Sequence, residues 1–186
     1  MKFKLILLLL LFGCQSTEII EPIIFDNSQM EKIIISSKNI EINELYDSKF
    51  ADPYIDHSLI NPPIQRLEDW IYENVKIFGK KNKLEINIID ASIKKLEVEN
   101  KDSKKLQEKN IFKYELFYLV EYNLLTDTNY LIASTIVESK QTTTSGKHIS
   151  ILEKEKITDK LIWNSLQNLS NKSENLIKKY MTDYIL

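Results

Sequence analysis

A strict alternation of hydrophobic and polar residues marks the middle of the chain as a long β-strand. The apolar or aromatic members of the alternation are Phe112, Tyr114, Leu116, Tyr118, Val120, Tyr122 and Leu124. Successive side chains of a strand point to opposite faces, so this period of two places all of them on one buried face. The intervening positions predict an opposite face that is polar, except where Phe117 and Leu119 interrupt it.

Further strands are predicted on either side of this one. The polar residues 126–129 form a hairpin turn that leads into an antiparallel strand over residues 130–140. Upstream, residues 84–88 alternate until the apolar phase changes at Ile89, which predicts a β-bulge beside Asp90.

An earlier strand is expected over residues 33–46, because isoleucines are frequent there. A break in the apolar pattern at Ser36 and Ser37 predicts an interruption or a bulge. Residues 47–61 lack a regular pattern and predict an ordered surface loop.

Two helices complete the pattern. The first helix is expected to begin at Asn61, which can act as its N-terminal cap, with a proline in the first turn. It is expected to end at Gly79, which can adopt a left-handed backbone conformation. Its apolar face is Ile64, Leu67, Ile71, Val75 and Phe78. A second helix is expected from about residue 150 to 184, with a break over 168–173, where Asn and Ser cluster.

The predicted order β-α-β-β-β-α is typical of an α+β fold. Layer packing then gives a two-layer sandwich, an antiparallel-rich sheet of about four strands with both helices on one face. The length of 186 residues favours one folded domain, which we place at residues 32–186.

The amino terminus indicates a membrane anchor. Lys2 and Lys4 precede an apolar run over residues 5–12, and the sequence Leu-Phe-Gly-Cys then ends at Cys14. The run is far shorter than the roughly 20 residues of a membrane-spanning helix. The arrangement resembles the lipobox of bacterial lipoproteins, which implies cleavage by signal peptidase II before Cys14 and acylation of that cysteine. The alternative is an ordinary secretory peptide with an incidental cysteine.

On the lipobox reading, residues 1–13 are the signal peptide and residues 14–31 are the acylated cysteine and its tether. Gln15 stands where an aspartate would imply retention at the inner membrane. By resemblance to sorted lipoproteins, we expect a lipid-anchored protein of the outer membrane that faces the periplasm.

Charge and composition narrow the function. Cleavage removes two of the 25 basic residues and none of the 27 acidic ones, so the mature chain carries a net charge of −4. Such a chain has no basic field for nucleic acid. Because Cys14 is the only cysteine, the chain cannot form an internal disulfide.

The sequence predicts no enzyme, no cofactor and no metal site. Only Gly79 and Gly146 remain outside the signal peptide, too few for a phosphate-binding loop or a nucleophile elbow. His57 and His148 are far apart and have no thiolate partner that would complete a zinc site. No pairing of a nucleophile with a base is visible.

Several motifs together resemble an uncharacterised family of alphaproteobacterial lipoproteins over residues 33–186. They are Pro62-Pro63, the Trp70 helix, Ile89-Asp90-Ala91-Ser92-Ile93, the Tyr-rich hairpin and the Trp163 helix. The element order is also similar to auxiliary lipoproteins of lipid-trafficking transporters and to the plug lipoprotein of the lipopolysaccharide translocon. The resemblance implies an envelope location and no catalytic residues.

Two functions remain open. The first is a non-catalytic adaptor or accessory subunit that docks an envelope protein while Cys14 holds it at the membrane. The second is a lipid-binding module that shields an acyl chain between sheet and helices. Phe117 and Leu119 are the candidate docking patch, unless the 47–61 loop or the tether covers them.

Overall fold

The computed structural model describes residues 21, 23–101 and 108–186 of the chain. These contain six strands and two helices, with single 3-10 turns at 27–29, 56–58 and 182–184. In chain order the elements are β1 (Ile33–Ile35), β2 (Asn39–Glu44), α1 (Pro63–Asn74), β3 (Val75–Ile77), β4 (Lys83–Glu99), β5 (Asn110–Leu125), β6 (Leu131–Ser145) and α2 (Ile151–Tyr180).

The main sheet has four strands in the order β2-β4-β5-β6. The consecutive strands β4, β5 and β6 are antiparallel, whereas β2 pairs in parallel with β4. A separate small sheet joins β1 to β3 in parallel. The α+β class, the four-stranded sheet and the two helices are therefore confirmed, and the small sheet is an addition to them.

Both helices cover the same face of the sheet. The Tyr118 hydroxyl on β5 bonds to the Pro63 carbonyl of α1 at 3.0 Å. Four residues along the same face of the strand, the Tyr122 hydroxyl lies 3.1 Å from that of Ser173 on α2. We call this side the inner face and the opposite side the outer face. The alternating residues Tyr114, Leu116, Tyr118, Val120, Tyr122 and Leu124 are all buried on the inner face, as their spacing predicted.

The first predicted strand is in fact two strands in different sheets. The chain leaves the small sheet after Ile35 and enters the main sheet at Asn39. Ser37 stabilises the segment that passes between the two sheets. Its buried hydroxyl donates a hydrogen bond to the carbonyl of Asn39 and accepts one from the amide of Leu84. The irregularity predicted at Ser36 and Ser37 is therefore the passage between sheets.

The first helix ends earlier than predicted. It begins after Pro62, without a side-chain cap from Asn61, and stops at Asn74. Val75 and Ile77 instead pair with Ile33 and Ile35 in the small sheet, so placing residue 75 on the helix was wrong.

Two further predictions about the end of this helix were also wrong. Phe78 is 77% exposed instead of buried on the helical face. Gly79 has no left-handed backbone. A Cβ at Gly79 would lie 2.7 Å from the backbone nitrogen of Ser37, so glycine is needed there for close approach and not for chain reversal.

The second helix is continuous, so the predicted break over residues 168–173 was wrong. Ser170 and Ser173 are buried against the body of the protein, and Ser173 contacts Tyr122. The two serines that suggested a break therefore belong to the packed side, while Asn171 is exposed on the opposite side of the same helix. At the start of α2, Ser150 and Glu153 form a reciprocal capping box.

Part of the segment assigned to the tether packs on the domain. The Phe25 ring meets Trp163 of α2 edge-on at 5.5 Å, and the Arg66 guanidinium of α1 lies 3.9 Å from the Phe25 ring centre. Asn27 and Met30 are buried. The signal peptide, Cys14 and residues 15–20 lie outside the described residues. Among the residues described, no helix is both long and apolar enough to cross a membrane.

Candidate docking surface

The outer face of the main sheet is built by the residues that alternate with the buried core positions. A register shift between Ile88 and Asp90 confirms the predicted β-bulge and reverses the apolar phase of β4. Ile88 and Ala91, on either side of the shift, are therefore both buried on the inner face. Asp90 consequently shares the outer face with Leu119, its partner on β5.

Two rows of paired residues cross this face, and each has an apolar residue at its centre. Asp90, Leu119 and Glu138 form one row across β4, β5 and β6. Ser92, Phe117 and Lys140 form the next row. Both Phe117 and Leu119 are half-buried, so the structure brings the two predicted docking residues together on one side of the sheet.

A shallow depression of about 220 Å³ opens beside Phe117. Charged and hydroxyl side chains border it, namely Asp90, Ser92, Lys94, Glu115 and Lys140. Carboxylates and ammonium groups thus alternate around the aromatic ring. An apolar centre with a polar rim is the usual anatomy of a protein interface.

Ile136 extends the apolar part of this face, and the sequence interpretation did not identify it. It pairs with Glu121, so it lies diagonally from Leu119 at a distance that side chains can bridge. Its side chain is 54% exposed. Ile136 and Val137 are adjacent apolar residues, and only the pairing of β6 shows which of them faces outward. We call Phe117, Leu119 and Ile136 the outer patch.

Besides the tether, the loop over residues 47–61 was the predicted alternative cover for Phe117 and Leu119. In the structure it continues the edge of β4 beyond the end of β2: the Ile55 amide donates to the Ile93 carbonyl at 3.0 Å, and the Lys95 amide donates to the Pro53 carbonyl at 2.8 Å. No residue of this loop lines the depression beside Phe117.

The loop is held by a buried polar contact. The Tyr46 hydroxyl donates to a carboxylate oxygen of Asp56 at 3.0 Å, and both residues are buried. Burial, followed by the charge of Asp56, raises the pKa of Tyr46 above its ordinary value. The hydroxyl therefore stays protonated and keeps the loop against β4.

A second perturbed group lies on α1. Burial, reinforced by a hydrogen bond to Glu44, raises the pKa of Glu68 to about 7. A protonated Glu68 can share its proton with the carboxylate of Glu44. This pair lies where α1 approaches the end of β2, away from the outer patch.

The two histidines occupy separate places. His57 lies in the 47–61 loop with its Nδ1 3.1 Å from the Lys49 carbonyl, whereas His148 follows β6 and lies 4.0 Å from Glu108. Within the described part of the chain, His, Cys, Asp and Glu form no cluster of three or more that could hold a metal ion. Cys14, the predicted lipidation site, is outside that part.

Neither a protein-family model nor a curated protein matches this chain. Solved structures that align with this chain include a minor lipoprotein of Acinetobacter baumannii, with 8% identity, a TM-score of 0.45, and coverage of 81% of this chain and 96% of that one. Rare lipoprotein B of Shewanella oneidensis has 11% identity, a TM-score of 0.40, and coverage of 76% and 95%. A neuraminyllactose-binding hemagglutinin homolog of Helicobacter pylori has 13% identity, a TM-score of 0.43, and coverage of 88% and 96%. Two of these three structural neighbours are thus lipoproteins.

Proposed function

We propose that this chain is a bacterial lipoprotein that acts as a non-catalytic adaptor or accessory subunit of an envelope complex. Cys14 anchors it in the outer membrane, and the domain faces the periplasm. The observation that carries the adaptor role is the outer patch, an apolar centre on the sheet face opposite the one that α1 and α2 cover.

The anchor rests on the lipobox that ends at Cys14. A diacylglyceryl group with an added N-acyl chain buries many methylene groups, each worth about 0.8 kcal/mol, so attachment is stable where one chain would be marginal. An adaptor needs such an anchor, because confinement to the membrane raises its effective concentration near a membrane partner.

The composition of the outer patch favours a protein as the binding partner. The apolar residues Phe117, Leu119 and Ile136 are adjacent on the sheet, and the charged residues around them leave a polar rim. In interfaces, buried apolar residues supply most of the binding energy while a charged rim supplies specificity. We therefore assign the patch to an envelope protein, within a complex that handles lipid or envelope precursors.

The packing between sheet and helices favours this role over the shielding of an acyl chain. Leu116, Val120 and Ile162 are completely buried in that layer. Hydroxyl contacts from Tyr118 to α1 and from Tyr122 to α2 tie the helices to the sheet. A lipid chain would have to break these contacts and displace close-packed side chains.

The test replaces the patch while monitoring the fold. We expect the double variant Phe117→Ser and Leu119→Ser to keep a melting temperature close to that of the wild type and to lose its partner in native membranes. The partner is captured by a photocrosslinking residue at Asp90, which pairs with Leu119 on the outer face, and the same probe at Asn123, farther along that face, is the matched control. Loss of several kcal/mol of stability would identify the patch as internal packing and contradict the docking role.

A further inference from the structure

The strand β6 forms an edge of the main sheet with an open row of backbone groups. Hydrogen bonds between the 47–61 loop and the backbone of Ile93 and Lys95 fix the direction of the backbone groups in this part of β4. Beyond the bulge, the N–H and C=O groups of the odd-numbered residues point away from β5. The backbone groups of Ser92 and Lys94 therefore bond to β5. The same alternation of bonded and non-bonded pairs applies between β5 and β6, since both pairings are antiparallel. The even residues from Ser134 to Thr144 consequently direct their N–H and C=O groups outward from the sheet.

These outward positions are accessible. The side chains at residues 134, 136, 138, 140, 142 and 144 are all exposed. Within the described residues, one hydrogen bond reaches this edge, from the Lys172 ammonium to the Glu138 carbonyl at 2.9 Å. A carbonyl oxygen has two lone pairs, so this contact leaves an acceptor site on Glu138.

The helix α2 follows β6 without closing the edge. Near one end of the strand, a groove of about 280 Å³ lies between Gln141, Thr142 and Thr143 and the helix residues Ile157 and Leu161. Towards the other end, Ile136 and Tyr180 border an opening of about 400 Å³. An exposed edge strand of 15 residues is a template for pairing with another strand.

We propose that a second copy of this chain occupies the edge, with the two β6 strands antiparallel about a two-fold axis at Ser139. Glu138 then faces Lys140 of the second copy, and Lys140 faces Glu138 of the second copy. Ile136 pairs with Thr142, and Ser134 with Thr144, in the same way. All of these residues are outward-pointing, so the backbone donors and acceptors of the six positions match.

Charge complementarity selects both the occupant and the register. In this register both central pairs join opposite charges, which stabilises cross-strand neighbours. Shifting the register by two residues in one direction places Glu138 opposite Glu138 of the second copy, and shifting it in the other direction places Lys140 opposite Lys140. Like charges directly opposite each other are destabilising. An isologous interface needs such self-complementarity, and β6 contains it in its sequence.

The symmetry also agrees with membrane attachment. A two-fold axis between antiparallel strands is perpendicular to the sheet, so the helices of both copies lie on one side. Phe25, near the amino-terminal end of the described residues, lies on that helical side against Arg66 and Trp163. Both tethers therefore emerge on the same side and can reach one bilayer. The proposed self-association is independent of the adaptor role.

The first experiment measures association of the purified, acylated mature chain in detergent by sedimentation equilibrium. We expect a dimer whose dissociation constant rises about tenfold in Glu138→Lys and in Lys140→Glu, since each change creates two like-charged pairs. The double variant Glu138→Lys with Lys140→Glu restores opposite charges and should restore wild-type affinity. A monomer at all concentrations, or a double variant as weak as the single ones, overturns the proposal.

The second experiment tests the register by disulfide formation. Opposed residues in a hydrogen-bonded pair have Cα atoms about 5.5 Å apart, within disulfide range, whereas the diagonal positions are beyond about 7 Å. A mixture of Glu138→Cys and Lys140→Cys chains should therefore crosslink, and either variant alone should not. Wild-type protein oxidised in parallel reports any disulfide through Cys14. Absence of the mixed crosslink contradicts the register, and so does equal crosslinking in the unmixed samples. Neither experiment involves an envelope partner, so these results do not depend on the adaptor test.

Discussion

The hydroxyl of Tyr118, in the middle of β5, donates a hydrogen bond of 3.0 Å to the carbonyl oxygen of Pro63, the first residue of α1. The contact is buried and joins residues that are 55 positions apart in the chain. It fixes where α1 begins relative to the sheet, at a place where Asn61 supplies no cap. Burial raises the pKa of Tyr118, so the hydroxyl remains a donor.

Replacing Tyr118 by Phe should lower the free energy of unfolding by about 1 kcal/mol, since one buried hydrogen bond is lost while the ring stays in place. Urea denaturation measures the change. Tyr130→Phe is the matched control, because Tyr130 is 74% exposed, and it should shift stability by less than about 0.5 kcal/mol. Equal effects of the two variants would contradict a structural role for the contact.

The phase of β5 can be tested with Leu116 and Lys113. Leu116 is completely buried on the inner face, so Leu116→Ala should cost about 2–5 kcal/mol by leaving a cavity. Lys113 lies on the outer face and pairs with Glu115, and the loss of such a surface ion pair should cost less than about 1 kcal/mol. Comparable losses in urea melts at both positions would reject the assigned buried face.

The two glycines outside the signal peptide should differ in their tolerance of a methyl group. At Gly79 an added Cβ meets backbone atoms of Ser37 at 2.7 Å and of Ser36 at 2.9 Å, so Gly79→Ala should cost about 1–3 kcal/mol by overpacking. At Gly146 the nearest atom, at 3.0 Å, belongs to the flexible side chain of Glu108. Thermal melts should therefore show a clearly smaller loss for Gly146→Ala, and the reverse order would contradict the close approach at Gly79.

The carboxyl group of Glu68 predicts a pH dependence of stability. Its pKa rises from 4.5 to about 7 on folding, so the folded state favours the protonated form. That contribution is complete below the unfolded pKa and is lost as the pH rises through the folded pKa. Wild-type stability should therefore fall between about pH 4.5 and 7 relative to Glu68→Gln. Glu73→Gln, an exposed site on the same helix, should keep the wild-type slope.

The anchor can be tested at Cys14. The variant Cys14→Ser removes the thiol that would carry the diacylglyceryl group, so we expect an unprocessed or released form without lipid. Metabolic labelling with a palmitate analogue and membrane flotation measure both properties. A variant that still labels and floats with membranes would disprove lipidation at this residue.

Local periodicity was sufficient to determine several features from the sequence alone. The period of two in residues 112–124 identified β5 and its buried face, because side-chain alternation depends only on the strand itself. The phase change at Ile89 located the bulge for the same reason. The motif that ends at Cys14 predicts an anchor in the same linear way, and that prediction concerns residues outside the described part of the chain.

Contacts between distant residues decided the remainder. Residues Val75–Ile77 form a strand instead of continuing α1, because β1 provides a pairing partner for them. The helical pattern in the sequence does not show that partner. The Asn- and Ser-rich region of α2 stayed helical because Ser173 faces Tyr122. Ile136 joined Phe117 and Leu119 on the outer face only through the pairing of β6 with β5. In each case the free energy comes from a partner far along the chain, so tertiary packing overrode the local preference.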